Sequence, residues 1–382
     1  MDTKKIGLYV HWPFCKARCR YCGFFTLAGK DKLLPKYTEA LIREFESYHE
    51  QLRECQVNSI YLGGGTPSLA DPELIAMFLR KCQQRLELAN DTEVTIEANP
   101  ESVSEEKLNI YLEAGINRLS MGLQAWQDMW LHKMGRLHDH REFVEKYNLA
   151  RKCGFTNIGV DLIFGMPGQA LTEWQESLEQ VIKLNPEHVS CYSLELDKNS
   201  FWGREYQQGK LKAADERVDR QMYHLARRLL KQAGYLQYEI SNWCRPKMDC
   251  RHNLMFWKGY EYIGLGAGAH SYFGGKRWQN AEDIEGYCEK MKVGNRVKVQ
   301  VVSEDRDDQM EEFVMLRLRL VEGLDLDEYQ KKFGVSLQDE CKKSIGELER
   351  LKLVRIRGGR LKLTKKGLDV VDTVTKELLL MC

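Results

Sequence analysis

The chain carries almost no net charge: 57 lysines and arginines stand against 56 aspartates and glutamates, a formal +1. That balance excludes a strong sequence-independent pull toward nucleic acid or an anionic membrane. No apolar run is long enough to span a bilayer. The first residues also lack the basic, apolar and small-residue regions of a secretory leader. The first motif that carries chemistry opens at Cys15, which leaves little room for a removable leader. A disulfide framework is poorly supported too. Of twelve cysteines, Cys55, Cys82, Cys153, Cys191, Cys288, Cys341 and Cys382 are scattered, and 382 residues bury enough core to need no staples. The expectation is a cytoplasmic chain with reduced thiols, built as one large domain plus a small one.

What is present is a run of three cysteines, Cys15, Cys19 and Cys22, in HWPFCKARCRYCGF. It follows a short apolar strand, Ile6 to Val10. Thiolates are the usual protein ligands of iron–sulfur clusters, and C-x3-C-x2-C places three on one loop. Three irons of a 4Fe–4S cubane are then held and the fourth is open to a small molecule. A zinc knuckle or three unrelated thiols are the other readings. Structural zinc usually takes four ligands, often as two CxxC pairs, and no second pair exists here.

From residue 6 to about 235, strand-like and helix-like stretches alternate. The strand-like runs are Ile6–Val10, Ser59–Leu62, Glu93–Glu97, Arg118–Gly122, Ile158–Ile163 and His188–Tyr192. Tyr37, Leu41, Ile42, Phe45 and Tyr48 form one helical stripe, and Tyr223, Leu225, Leu229 and Leu230 another. Six βα units in series predict an α/β fold with a curled parallel sheet, a partial (β/α)6 barrel whose site lies at the C-terminal strand ends. The expected division is a 1–235 core, an aromatic and glycine-rich 236–300 segment completing the site, and a 301–382 C-terminal domain. The last reads as helix, helix, hairpin at Gly358–Gly359, helix, an α+β winged-helix-like module. Its hairpin is basic (Arg355, Arg357, Arg360, Lys362), but the preceding helix mixes acids and bases. A packing or partner role is therefore expected rather than nucleic-acid binding.

The second strand-like run ends in Gly63-Gly64-Gly65-Thr66-Pro67, where glycines allow close backbone approach to a ligand. With the cysteine loop one βα unit earlier, the sequence resembles the radical S-adenosylmethionine (SAM) superfamily over nearly its whole length. The resemblance implies that the open iron binds the amino and carboxylate groups of SAM, whose reductive cleavage gives a 5′-deoxyadenosyl radical. It further implies that Tyr9 abuts the methionine part and Tyr21 lines the adenine side. Gly64, Gly65 and Thr66 would hold the methionine end and Glu97 the ribose hydroxyls, with Gln124, Arg136 and Asp161 completing the pocket. The residue types suit this, since carboxylates accept from hydroxyls and arginine pairs with carboxylate. Structural roles stand beside these: Glu97 as a cap, Asp161 paired with a buried base, Arg136 as a surface charge.

Within the superfamily the chain is similar to the coproporphyrinogen dehydrogenase-like branch. Those dehydrogenases carry a fourth cysteine where this chain has Phe24, and a longer arm before the first strand. Both departures resemble the HemW group of proposed haem chaperones. Its marker H-N-x-x-[YF]-W matches His252-Asn253-Leu254-Met255-Phe256-Trp257. Histidine is a common haem ligand, which makes His252 the haem candidate; the alternative is that His252 and Asn253 only pin a loop. His270, in the glycine-rich Gly264–His270 loop, is a second candidate. Cys244 and Cys250 rank last, and His132, His138 and His140 read as a polar loop.

The resemblance thus implies a chaperone that binds a 4Fe–4S cluster, SAM and haem. It would receive electrons from a flavodoxin- or ferredoxin-like donor and pass haem to an acceptor protein. The alternatives are oxygen-independent coproporphyrinogen III oxidative decarboxylation, another radical reaction on a tetrapyrrole, and a non-catalytic interaction protein that keeps the fold.

Overall fold

A computed structural model describes residues 4–294 and 297–380; Cys382 lies outside the described residues. Six strands follow one another in parallel order: β1 (Lys4–Trp12), β2 (Cys55–Gly64), β3 (Glu87–Ala98), β4 (Arg118–Gln124), β5 (Ile158–Phe164) and β6 (His188–Ser193). Each contains the corresponding run read from the sequence. β4 is buried along its whole length, as expected of a parallel strand covered on both faces.

The crossover helices begin where the sequence supplies caps. Asp71 accepts from the Glu73 N–H at the start of α1 (Pro72–Arg85), and Asp139 accepts from Glu142 at the start of α2 (His140–Cys153). Such side chains satisfy amide donors that the first helical turn leaves open.

The 236–300 segment, whose sequence reads as loops with short strands, carries short strands that extend the sheet at both ends. It adds β7 (Leu236–Gln237) and β8 (Asn242–Cys244) antiparallel beyond β6. It adds β9 (Tyr262–Leu265) as a further parallel strand on the outer flank of β1. The antiparallel strands β10 (His270–Phe273), β11 (Lys276–Asn280) and β12 (Lys298–Ser303) follow. The sheet order is β12-β11-β10-β9-β1-β2-β3-β4-β5-β6-β8-β7. Its two edges do not pair with each other among the described residues, so the barrel is partial. Between β8 and β9 runs the short helix α3 (Arg251–Trp257).

The large apolar core runs through β1–β6 and their helices, and a separate core gathers Phe313, Tyr329, Ile345, Leu361 and Leu378. Around the second core, β13 (Leu324–Asp325), β14 (Val354–Arg357) and β15 (Arg360–Leu363) pair in the order β13-β15-β14. Gly358 and Gly359, both at positive φ, turn the hairpin, as a tight two-residue loop requires. The arrangement is that of a small α+β, winged-helix-like unit. The described cysteines are free thiols except Cys341, which is disulfide-bonded and departs from the expectation of thiols throughout. Among the described residues no helix is long and apolar enough to cross a membrane.

Candidate functional site

The C-terminal ends of the parallel strands open on a cavity of about 520 Å³. Its wall brings together Cys15, Cys19, Tyr21, Cys22, Gly64, Gly65, Thr66, Glu97, Gln124, Arg136 and Asp161. Two predicted residues are not on that wall. Tyr9, in register with the wall residue Tyr61, turns its hydroxyl to His11 Nδ1 at 2.9 Å. His252, only 3% exposed, projects from α3 under the cavity. Its Nδ1 is 2.8 Å from Ser59 Oγ and its ring stacks on Tyr61 at 5.0 Å. The structure therefore does not bring His252 to the cavity.

The cysteine loop leaves β1 at Trp12 and is clamped to the end of β2. Gly65 N donates to Trp12 O at 3.0 Å and Thr66 N to Phe14 O at 2.8 Å. A Cβ on Gly65 would stand 2.6 Å from Trp12 O and 2.8 Å from Phe14 O, so only glycine permits this approach. Thr66 Oγ1 lies 3.5 Å from Cys15 Sγ, and Arg136 Nη1 lies 3.6 Å from Cys19 Sγ. Arg136 is fixed through Nη2, which donates to Asn99 Oδ1 at 2.6 Å and Gly122 O at 2.9 Å. Asn99 in turn donates to Thr66 Oγ1 at 3.0 Å. One network thus ties the cysteine loop to three strand ends.

Burial pushes the Cys22 thiol up to about 11 and raises Cys15 as well. Metal-bound thiols are deprotonated, so assembly of a cluster here releases protons. Among the described residues no three His, Cys, Asp or Glu side chains close on a point, as a single-ion site would require. The fit to a 4Fe–4S cluster rests on the donor set: three thiols from one loop on one cavity wall, with the Arg136 cation alongside to offset thiolate charge.

Glu97 Oε1 accepts from Tyr61 Oη at 2.7 Å and Oε2 from Gly64 N at 3.1 Å. Burial, together with the nearby Asp161, pushes its carboxyl up to about 7. Asp161, also raised by burial, accepts from Ser120 Oγ at 3.0 Å. Gln124 adopts φ 71° at the end of β4, a conformation uncommon for a non-glycine residue and often associated with a functional position. Phe24 is 67% exposed on the cavity rim. The pattern of residues missed Asn99 and Tyr61. Asn99 is marked only by following the end of β3 at Ala98, and Tyr61 only by lying near the end of β2 at Gly64.

A model described as the radical SAM superfamily matches residues 9–181, and one described as the HemN C-terminal domain matches residues 305–370. Among curated proteins, "Heme chaperone HemW" of Lactococcus lactis is 32% identical over 100% of this chain and 99% of its own length. The protein of that name from Mycobacterium tuberculosis is 34% identical over 99% and 96%. "Radical S-adenosyl methionine domain-containing protein 1, mitochondrial" of Danio rerio is 31% identical over 98% and 87%. A solved structure of coproporphyrinogen III oxidase (HemN) from Escherichia coli superposes with TM-score 0.85 over 99% of this chain and 90% of that one. At 22% identity, that likeness speaks to fold alone. The chain belongs to the radical SAM superfamily and, within it, to the HemW family.

Proposed function

We propose that this chain is a haem chaperone that binds a 4Fe–4S cluster, SAM and haem and delivers haem to an acceptor protein. The observation that carries this reading is the full-length similarity, at about a third identity, to proteins named as haem chaperones. Cys15, Cys19 and Cys22 hold the cluster. When bound, the cluster supplies an electron and an open coordination position.

The remaining roles belong to the chain's own side chains. Gly64, Gly65 and Thr66 present backbone and hydroxyl groups to the methionine end of SAM. Glu97, oriented by Tyr61 and the Gly64 amide, accepts from ribose hydroxyls. Tyr21 lines the adenine side, and Gln124 and Asp161 close the pocket. Arg136 holds the cysteine loop in register and pairs with the SAM carboxylate. Tyr9, its hydroxyl on His11, stands beside Tyr61 at the edge of the pocket. Ligation of haem iron by His252 belongs to this reading only for a state in which α3 has withdrawn from the floor, because the folded arrangement buries the ring. The division at 1–235, 236–300 and 301–382, a cytoplasmic location and a flavodoxin- or ferredoxin-like electron donor complete the proposal.

The test is haem titration of anaerobically reconstituted protein, followed by mixing with haem-free acceptor candidates. Tight uptake and transfer are expected. Failure to bind haem refutes the reading, and haem affinity unchanged in His252→Ala removes the ligand role of that residue.

A further inference from the structure

Asn99, one residue past the end of β3, stands on the cavity wall between Thr66 and Arg136. A guanidinium has only N–H groups to give, so the Asn99 atom that meets Arg136 Nη2 at 2.6 Å is the oxygen, Oδ1. Nδ2 is thereby turned to Thr66 Oγ1, to which it donates at 3.0 Å. The Thr66 hydroxyl accepts on that side, and its single hydrogen is left for Cys15 Sγ at 3.5 Å. On the other side Arg136 Nη1 donates to Cys19 Sγ at 3.6 Å. The direction of every hydrogen from Cys19 round to Cys15 follows from the one group that cannot accept.

The surroundings hold this chain of bonds in place. The Asn99 backbone oxygen accepts from Ser102 Oγ at 2.7 Å and Ser102 N at 3.0 Å. Arg136 Nη2 also donates to Gly122 O at 2.9 Å. A Cβ at Gly122 would stand 3.1 Å from Arg136 Nη2 and 3.3 Å from Asn99 Oδ1, so a side chain there would crowd both. The Glu101 carboxylate also feels Arg136 but lies against His138, Oε2 at 3.5 Å from Nδ1. Two more hydroxyls stand near the thiols, Tyr21 by Cys19 and Thr26 by Cys15. Neither hydrogen-bonds to Asn99 among the described residues, and Thr26 Oγ1 has no partner of good geometry there.

Hydrogen bonds to the sulfurs are among the factors that set the potential of an iron–sulfur cluster. Reduction adds negative charge, and a donor holds a more negative acceptor more strongly. Donors on the ligand sulfurs therefore favour the reduced form. We propose that Asn99 is a positioning residue for the cluster: by aiming the Thr66 hydroxyl at Cys15 and the Arg136 guanidinium at Cys19, it holds the reduction potential up. This rests on the cluster reading above and adds to it a residue that bonds to neither thiol.

The test is the midpoint potential of the reconstituted full chain without SAM, from a dithionite titration followed by electron paramagnetic resonance. Thr66→Val should lower the potential by about 59 mV, the one-electron equivalent of a tenfold loss of reduced cluster. Thr66→Ser, which keeps the hydroxyl, should leave it in place. In Asn99→Asp the carboxylate can only accept, so it takes the Thr66 hydrogen away from Cys15, and Thr66→Val added to that variant should bring no further drop. Asn99→Ala, which breaks the link without adding charge, should also lower the potential and decides the matter if the aspartate variant takes up no cluster. An equal Thr66→Val drop in both backgrounds, or a wild-type potential in Asn99→Ala, overturns the proposal. Absence of iron–sulfur absorbance in the reconstituted wild type overturns the cluster reading itself.

Discussion

Glu97 carries a cost that follows from its proposed task. Its carboxyl is displaced upward from 4.5 to about 7, and at 1.36 kcal/mol per unit the charged form is disfavoured by about 3 kcal/mol. Water in the open cavity trims this, so about 2 kcal/mol is a fair expectation. A carboxyl whose folded value is raised adds stability below its unfolded value and loses it as pH rises through the folded one. The wild-type chain should therefore lose stability between pH 4.5 and about 7 through this group, whereas Glu97→Gln, having no proton to lose, should not. The amide replaces one carboxylate oxygen with a donor, so either the Tyr61 or the Gly64 bond is lost, a fixed cost of about 1 kcal/mol. The stability difference between variant and wild type should accordingly move by about 2 kcal/mol in the variant's favour from pH 5 to pH 8. Urea denaturation of the metal-free protein at both pH values measures it. SAM affinity of the reconstituted variant should fall at least tenfold, because a charge-assisted acceptor contributes about 1.5–3 kcal/mol. A pH-independent difference would refute the reasoning about burial, and unchanged SAM affinity would refute the ribose contact.

Tyr61→Phe removes the donor to Glu97 Oε1 and raises the carboxyl further. SAM affinity near neutral pH should fall about tenfold and partly recover at pH 9, as isothermal titration would show. Gly65→Ala forces a methyl against two backbone carbonyls and should destabilise the chain by about 1–3 kcal/mol, with weakened cluster retention in absorbance at equal protein concentration. Cys22→Ala should leave the protein folded by circular dichroism but abolish the iron–sulfur absorbance after anaerobic reconstitution; an unchanged spectrum would remove the cluster assignment.

The cysteine loop and the six parallel strands were legible because their signals are local. Cys15, Cys19 and Cys22 share one short segment, and runs such as Ile158–Phe164 are apolar between turn residues. Strand ends were legible as positions, and Glu97 and Gln124 at the ends of β3 and β4 meet Asp161, in the middle of β5, at one cavity. Orientation was not. Tyr9 and His252 have the chemistry of site residues, but the Tyr9 hydroxyl is taken by His11 and α3 docks His252 on Ser59 and Tyr61, so neither lines the wall. Nothing in a residue's type or spacing encodes that orientation. β9 was unreadable for a similar reason: four residues, YIGL, are too few to show a period, and its parallel pairing with β1 joins segments about 250 residues apart in the chain. Asn99 escaped notice because its role appears only when Arg136 and Thr66 are folded onto it.

The central claim is tested most directly by reconstituting the cluster anaerobically and adding SAM, dithionite and coproporphyrinogen III, with haem titrated in parallel. Stoichiometric haem uptake with no protoporphyrinogen formed is the result expected of a haem chaperone. Conversion of coproporphyrinogen III, with no haem retained, would contradict it.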